Sequence, residues 1–172
     1  MSATHPAPSR PSDPAAMRGG PTLAAGLIGW LLLCFGAAAM GAFFPPGEWY
    51  QALAKPSWTP PGWLFGPVWT VLYVVMAIAA WRVWRTAASP ARSLALGLML
   101  AQLLLNAAWS VLFFGLRSPA LAFADICALW LLLVATMMAF RRVDAPAGWM
   151  MVPYLAWVSF ALVLNGAIWQ AQ

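Results

Sequence analysis

Apolar residues run almost unbroken through five stretches of the chain, at approximately 23–44, 66–84, 94–115, 119–140 and 148–169. Each comes close to the roughly 20 residues a helix needs to cross the hydrocarbon core of a bilayer. The links between the last four stretches are short, which predicts antiparallel helical hairpins. The first link, 45–65, is long, and the segment "KPSWTPPGWLFGPVWTVLY" leads out of it with four prolines and three tryptophans in residues 55–73. A solvated connection is ordinarily built from Gly, Ser, Asn and Asp. This one reads as a lid: proline fixes φ and removes donors, while indoles supply apolar area to bury against a flat ligand. The fold class expected is all-α, an integral membrane bundle of five transmembrane helices over residues 23–172, with a lid loop at 45–65.

Against this apolar background the polar positions fall on helix faces. Trp69, Tyr73 and Met76 are spaced four and three apart in the second stretch. Gln102, Asn106, Trp109 and Phe113 follow the same rule in the third, and Tyr154, Trp157, Ala161 and Asn165 in the fifth. Such spacings place each set on one side of its helix. Three helices therefore present aromatic stripes with amide, hydroxyl or indole groups, and their convergence would form an apolar pocket with a few fixed polar contacts. Two other readings fit the same residues: Asn and Gln bonding from helix to helix, and Trp or Tyr anchoring at the membrane interface. The anchor reading is taken for Trp49, Trp81, Trp84, Trp149 and Trp169, and the pocket reading for Trp69, Trp109 and Trp157. Asp125 is the one carboxylate within a stretch, and an acid at membrane depth is a functional candidate by default. It is expected to be protonated or bonded to Trp, Tyr or Asn groups.

Composition agrees with a membrane chain, with 63% hydrophobic and 8% charged residues, where soluble domains carry about 25% charged. The formal net charge of +5 is spread along the chain, without the clustering of a nucleic-acid surface. It reads instead as a topology signal. Arg10, Arg18, Arg82, Arg85, Arg92, Arg141 and Arg142 fall on one side of the five spans, Lys55 and Arg117 on the other. The positive-inside rule then puts the N-terminus inside, and the first loop and C-terminus outside. The side chains do not name the membrane.

Residues 1–22 are rich in Pro, Ala and Ser and read as a disordered tail. The apolar run behind them exceeds the 7–15 residues of a signal-peptide core, so it is taken as a retained helix, with cleavage near "AAAMGA" as the alternative. Cys34 and Cys127 lie in apolar runs and read as small hydrophobes. With His5 as the single histidine, neither a metal site nor histidine-ligated haem is expected. A nucleophile–base pair is absent too. Ser93, Gly97 and Ala101, one every four residues, permit close helix approach, either to a second copy of the chain or to a helix of the same chain; a homodimer through this third helix is the reading adopted.

At "KPSWTPPGWLFGPVWTVLY", with "EWYQAL" before it and "QLLLNAAWSVLFFG" and "PYLAWVSFALVLN" after it, the chain resembles the translocator protein family, also called tryptophan-rich sensory proteins or peripheral-type benzodiazepine receptors. The likeness runs from about residue 24 to 169. It implies a five-helix bundle, commonly dimeric, that requires no cofactor and takes tetrapyrroles such as protoporphyrin IX as ligand. Cholesterol and synthetic isoquinolines bind many members. The family's ligand-contacting positions fall on Tyr50, Pro60 and Phe65 of the cover, Trp69 and Tyr73 of the second helix, Asn106 and Trp109 of the third, and Trp157 and Ala161 of the fifth. Asp125 matches an acidic position of the fourth helix. Trp69 and Trp157 correspond to tryptophans linked to porphyrin photodegradation in bacterial relatives. Two departures stand out: Ser57 follows Lys-Pro where some bacterial relatives carry Trp, and "ALVLNGAIWQAQ" lacks the Tyr and basic residue of the sterol pattern, itself a weak motif.

The function expected is a membrane receptor or transporter-like protein that senses, sequesters or moves porphyrins. A light-dependent porphyrin-degrading enzyme using Trp69 and Trp157, and a regulatory or structural membrane subunit, are the alternatives. Lys55 or Arg117 is expected to meet the porphyrin carboxylates.

Overall fold

The computed structural model describes residues 20–172, so positions 1–19 of the expected tail lie outside the described residues. Seven helices follow in order: α1 Gly20–Phe43, α2 Glu48–Ala52, α3 Gly62–Trp84, α4 Pro90–Ser110, α5 Pro119–Val143, α6 Ala145–Met150 and α7 Val152–Gln170. No strand occurs among the described residues. Five helical segments are long and apolar enough to cross a membrane, α6 and α7 together forming the last.

Three of the helix starts share one local grammar. Ser89 Oγ accepts from Arg92 N at 3.2 Å ahead of Pro90, Ser118 Oγ accepts from Leu121 N at 3.4 Å ahead of Pro119, and Asp144 Oδ1 accepts from Ala147 N at 2.9 Å ahead of Pro146. A short polar cap followed by proline satisfies an orphan amide and pre-sets φ for the first turn. These caps fix the short links and so the antiparallel order.

Boundaries differ from the expected spans in two informative places. The second span begins at Gly62, not 66, because Pro67 is carried inside α3, giving up one backbone bond. The extra turn puts Trp63 and Phe65 on the helix and shortens the lid, which is not irregular throughout but contains α2. At its far end α4 runs into a π-helical turn, Val111–Gly115, where Leu116 N donates to Val111 O, five residues back, at 2.8 Å. The wider turn lets neighbouring Phe113 and Phe114 both reach the bundle interior.

The spans close into a ring: α1 packs on α3 and α4, α4 on α5, α5 on α6 and α7, and α6 returns to α3. The two ends of this ring are built differently. At one, Ala77, Ala79, Ala80, Val83, Ala95, Met99, Leu133, Phe140, Ala147 and Met151 are fully buried. Gly148 lets α6 lie on α5 so closely that a Cβ there would sit 2.7 Å from Arg141 N. Arg82 forks onto Asp144 through Nε at 3.2 Å and Nη2 at 3.1 Å, and Trp81 Nε1 donates to Leu23 O at 2.9 Å. The other end, beneath the loop that carries α2, is hollow.

Candidate functional site

Beneath that loop lies a cavity of about 740 Å³ whose walls come from all five spans. The stripes read from the sequence meet there: Trp69 and Tyr73 from α3, Asn106, Trp109 and Phe113 from α4 and its π turn, and Trp157, Ala161 and Asn165 from α7. Tyr50 and Phe65 also line it, whereas Pro60 and Asp125 do not. Two further helices complete the wall with apolar positions. Phe35, Ala38 and Gly41 come from α1, and Ile126 and Leu129 from α5; the sequence gives these apolar positions nothing to set them apart from packing.

The aromatic rings form a connected lining. Trp69 stacks on Tyr73 at 5.4 Å between centroids and meets Tyr154 edge-on at 6.0 Å. Trp109 stacks on Phe113 at 4.9 Å, and Phe65 meets Trp157 edge-on at 5.8 Å. The loop grips this lining from above. Trp49 packs on Phe113 at 5.8 Å, Tyr50 on Phe114 at 5.5 Å and Trp58 on Phe160 at 5.9 Å. Offset and edge-on pairs of this kind contribute about 0.5–1.5 kcal/mol each beyond their buried area.

Most of the polar groups on the expected face bind one another. The Tyr73 hydroxyl donates to Asn106 Oδ1, Asn106 Nδ2 donates to the Tyr154 hydroxyl at 2.9 Å, and that hydroxyl donates to Gln102 Oε1 at 3.1 Å. Trp109 Nε1 donates to Asn165 Oδ1 at 2.9 Å, and Asn165 Nδ2 to Pro119 O at 2.9 Å. The helix-to-helix reading of Asn and Gln therefore holds for Gln102, Asn106 and Asn165. Asn106 lines the cavity, but both of its polar atoms hold Tyr73 and Tyr154 in place. Trp157 differs: its Nε1 is buried and has no partner among the described residues. An unpaired buried indole N–H is costly and is a donor free for an acceptor on a bound molecule.

Two charged groups sit elsewhere than expected. Lys55 Nζ donates to the carbonyls of Tyr50 at 2.6 Å, Gln51 at 3.0 Å and Leu53 at 3.2 Å. An ammonium has three donors, so Lys55 is consumed in capping α2 and is not available to a carboxylate. Burial raises the pKa of Tyr50, whose ring lies 4.7 Å from the Lys55 ammonium, so the phenol stays neutral. Asp125 Oδ2 is buried with no partner among the described residues, so the expected bonds to Trp, Tyr or Asn do not form at that oxygen. Arg117 is exposed on the same side as the loop, at a positive φ of 53°.

Among the remaining tryptophans, Trp81 is tied within the bundle by its bond to Leu23 O, while Trp149 is exposed beneath the Arg141 guanidinium at 4.4 Å. Ser93 and Gly97 are exposed and Ala101 is half-buried, so the small-residue stripe faces outward and not into this bundle. No group of His, Cys, Asp and Glu able to hold a metal ion occurs among the described residues.

Residues 30–170 match the TspO/MBR family. The chain is 45% identical over 142 residues to a tryptophan-rich protein TspO from Chlorobaculum tepidum, covering 80% of this chain and 90% of that protein. It is 41% identical over 142 residues to protein CrtK from Rhodobacter capsulatus, with 82% and 89% covered. To the translocator protein of Ovis aries it is 38% identical over 148 residues, with 83% and 88% covered.

Proposed function

The chain belongs to the TspO/MBR family and is a multi-pass integral membrane protein, and from that premise we propose that it binds porphyrins of the protoporphyrin IX class in the cavity beneath its first loop, as a receptor or transporter. The observation that carries this reading is the cavity itself: about 740 Å³ walled by Trp69, Trp109 and Trp157, a size and lining suited to a large flat apolar ring system. Stacked and edge-on indoles offer broad π surfaces to such a ring. The unpaired Trp157 Nε1 supplies a directional donor. With Lys55 committed to α2, Arg117 is the cation on the loop side that remains for a ligand carboxylate. The N-terminus lies inside and the loop outside, as the arginines at the Arg82 end suggest.

Titration of the reconstituted protein with protoporphyrin IX, followed by tryptophan fluorescence, tests the reading. Saturable quenching that weakens in Trp69→Phe and Trp157→Phe is the expected result; quenching identical in both variants removes it. A second reading rests on Trp69 stacked upon Tyr73 beside the unpaired Trp157, two oxidisable indoles on one cavity. In it, light and oxygen degrade the bound porphyrin. Illumination of the complex separates the two, since pigment spectra that stay unaltered in the wild type eliminate degradation.

A further inference from the structure

The cavity's wall is incomplete on one side. Toward the Arg82 end, α1 lies against α3: Leu23 O accepts from Trp81, a Cβ on Gly26 would collide with the Trp84 ring, and Phe35 meets Tyr73 at 6.2 Å. Above that level α1 turns its contacts to α4. A Cβ on Gly41 would lie 3.5 Å from Ser110 Oγ, and one on Gly115 would lie 2.9 Å from the Phe44 ring. The outer half of α1 thus leans away from α3.

The edge of α3 facing this gap carries Gly62, Gly66 and Thr70, all exposed and all lining the cavity. A Cβ added to Gly62 or Gly66 would meet nothing within 4 Å, so open space runs from the cavity past them to the surface. At a rise of 1.5 Å per residue, this edge is about 12 Å long. The loop does not cover it, since its ring contacts go to the ends of α4 and α7. Phe43 of α1 and Trp63 and Val71 of α3 add exposed apolar surface to the same two helices.

We infer that this slot between the outer halves of α1 and α3 is a lateral doorway from the bilayer, through which a flat apolar ligand enters the cavity edge-on, with Phe35 as its sill. The inference rests on the proposed cavity ligand and adds the route. A π system is about 3.5–4 Å thick by van der Waals contact, so a slot that is long and narrow admits a planar ring and refuses a bulky one. Glycine at positions 62 and 66 keeps the edge smooth.

Stopped-flow quenching with protoporphyrin IX delivered from vesicles to protein in proteoliposomes tests the doorway. In Gly66→Trp, binding and release are both expected to slow by about tenfold. Gly62→Phe should act alike, and Phe35→Ala should speed both. Gly97→Trp, on the outward face of α4 where a Cβ also meets nothing, should change neither. Rates unaltered by Gly66→Trp and Gly62→Phe overturn the inference. A second arm needs no porphyrin: Ala161→Cys in a Cys34→Ala, Cys127→Ala background is labelled by a bilayer-dissolved N-alkyl maleimide. Labelling slowed by Gly66→Trp and not by Gly97→Trp supports the doorway, and equal labelling refutes it. Absence of porphyrin binding in the wild type would defeat the proposed function alone, because the labelling arm still decides the route.

Discussion

The two ends of this bundle use the same kinds of residue for opposite purposes. Around Arg82, small residues bring helices together: Ala77, Ala79, Ala80, Ala95 and Ala147 are fully buried, and Gly148 admits the backbone of Arg141. Beneath the loop, Gly62 and Gly66 face open space. Aromatic residues divide likewise. Phe140 is wholly enclosed in the packed end, whereas Trp69, Trp109 and Trp157 form the wall of a void. The lesson is that residue type does not announce its use; what lies across from it decides. A packed end holds the helices at fixed spacing, and that spacing keeps the hollow end from collapsing.

The sharpest test of this division is Phe140→Ala, which removes a fully buried ring and is expected to cost about 3 kcal/mol. Phe65→Ala, losing one edge-on contact to Trp157, should cost under about 1.5 kcal/mol and weaken ligand binding instead. Unfolding in mixed micelles measures both, and equal destabilisation would erase the distinction. Next comes glycine. Gly148→Ala forces a methyl into the Arg141 backbone and should lower stability by about 2 kcal/mol, while Gly66→Ala, with room for its methyl, should raise it by about 0.5–1 kcal/mol. The same sign for both substitutions would contradict the geometry.

Asn106→Leu probes the border between the two ends. It strands the Tyr73 hydroxyl, while the Tyr154 hydroxyl keeps Gln102, and a loss of about 1 kcal/mol is expected, close to the upper range for single bonds inside membrane bundles. A double-mutant cycle with Tyr73→Phe should show coupling; strict additivity would mean that the network does not act as a unit. Smallest is Arg82→Gln. Arg82 is about one-third exposed, so solvent screening limits its ion pair to about 0.5 kcal/mol, seen as a stability difference that shrinks when salt is added.

Much of this arrangement is readable in the chain because helical periodicity is unambiguous over long apolar runs. Trp69, Asn106, Trp109 and Trp157 were placed on inward faces by spacing alone, and the structure brings them to one cavity. The fates of their polar atoms were not readable. Whether Asn106 meets a ligand or a tyrosine depends on which helix stands opposite, a property of packing and not of period. The share of α1 in the cavity wall is not legible, because Phe35, Ala38 and Gly41 carry no polar mark. Lys55 looked free because its role is to cap a five-residue helix, α2, too short to leave a periodic trace. Phe114 joins the wall only through the π turn, which shifts register by a local backbone choice.

The return contact of α6 on α3 has a consequence for biogenesis. Asp144, which clamps Arg82, precedes the last span to leave the ribosome, so the ring stays an open crescent until that segment inserts. Each span can enter the lipid alone, and lateral association follows. The hairpin of α4 and α5, joined through residues 116–118, is free to pair early. Before closure, Asn106 and Gln102 lack Tyr154, leaving polar groups toward hydrocarbon. A truncation ending before Asp144 should therefore be a quality-control substrate in the cell, removed by membrane proteases although four of its five spans are intact.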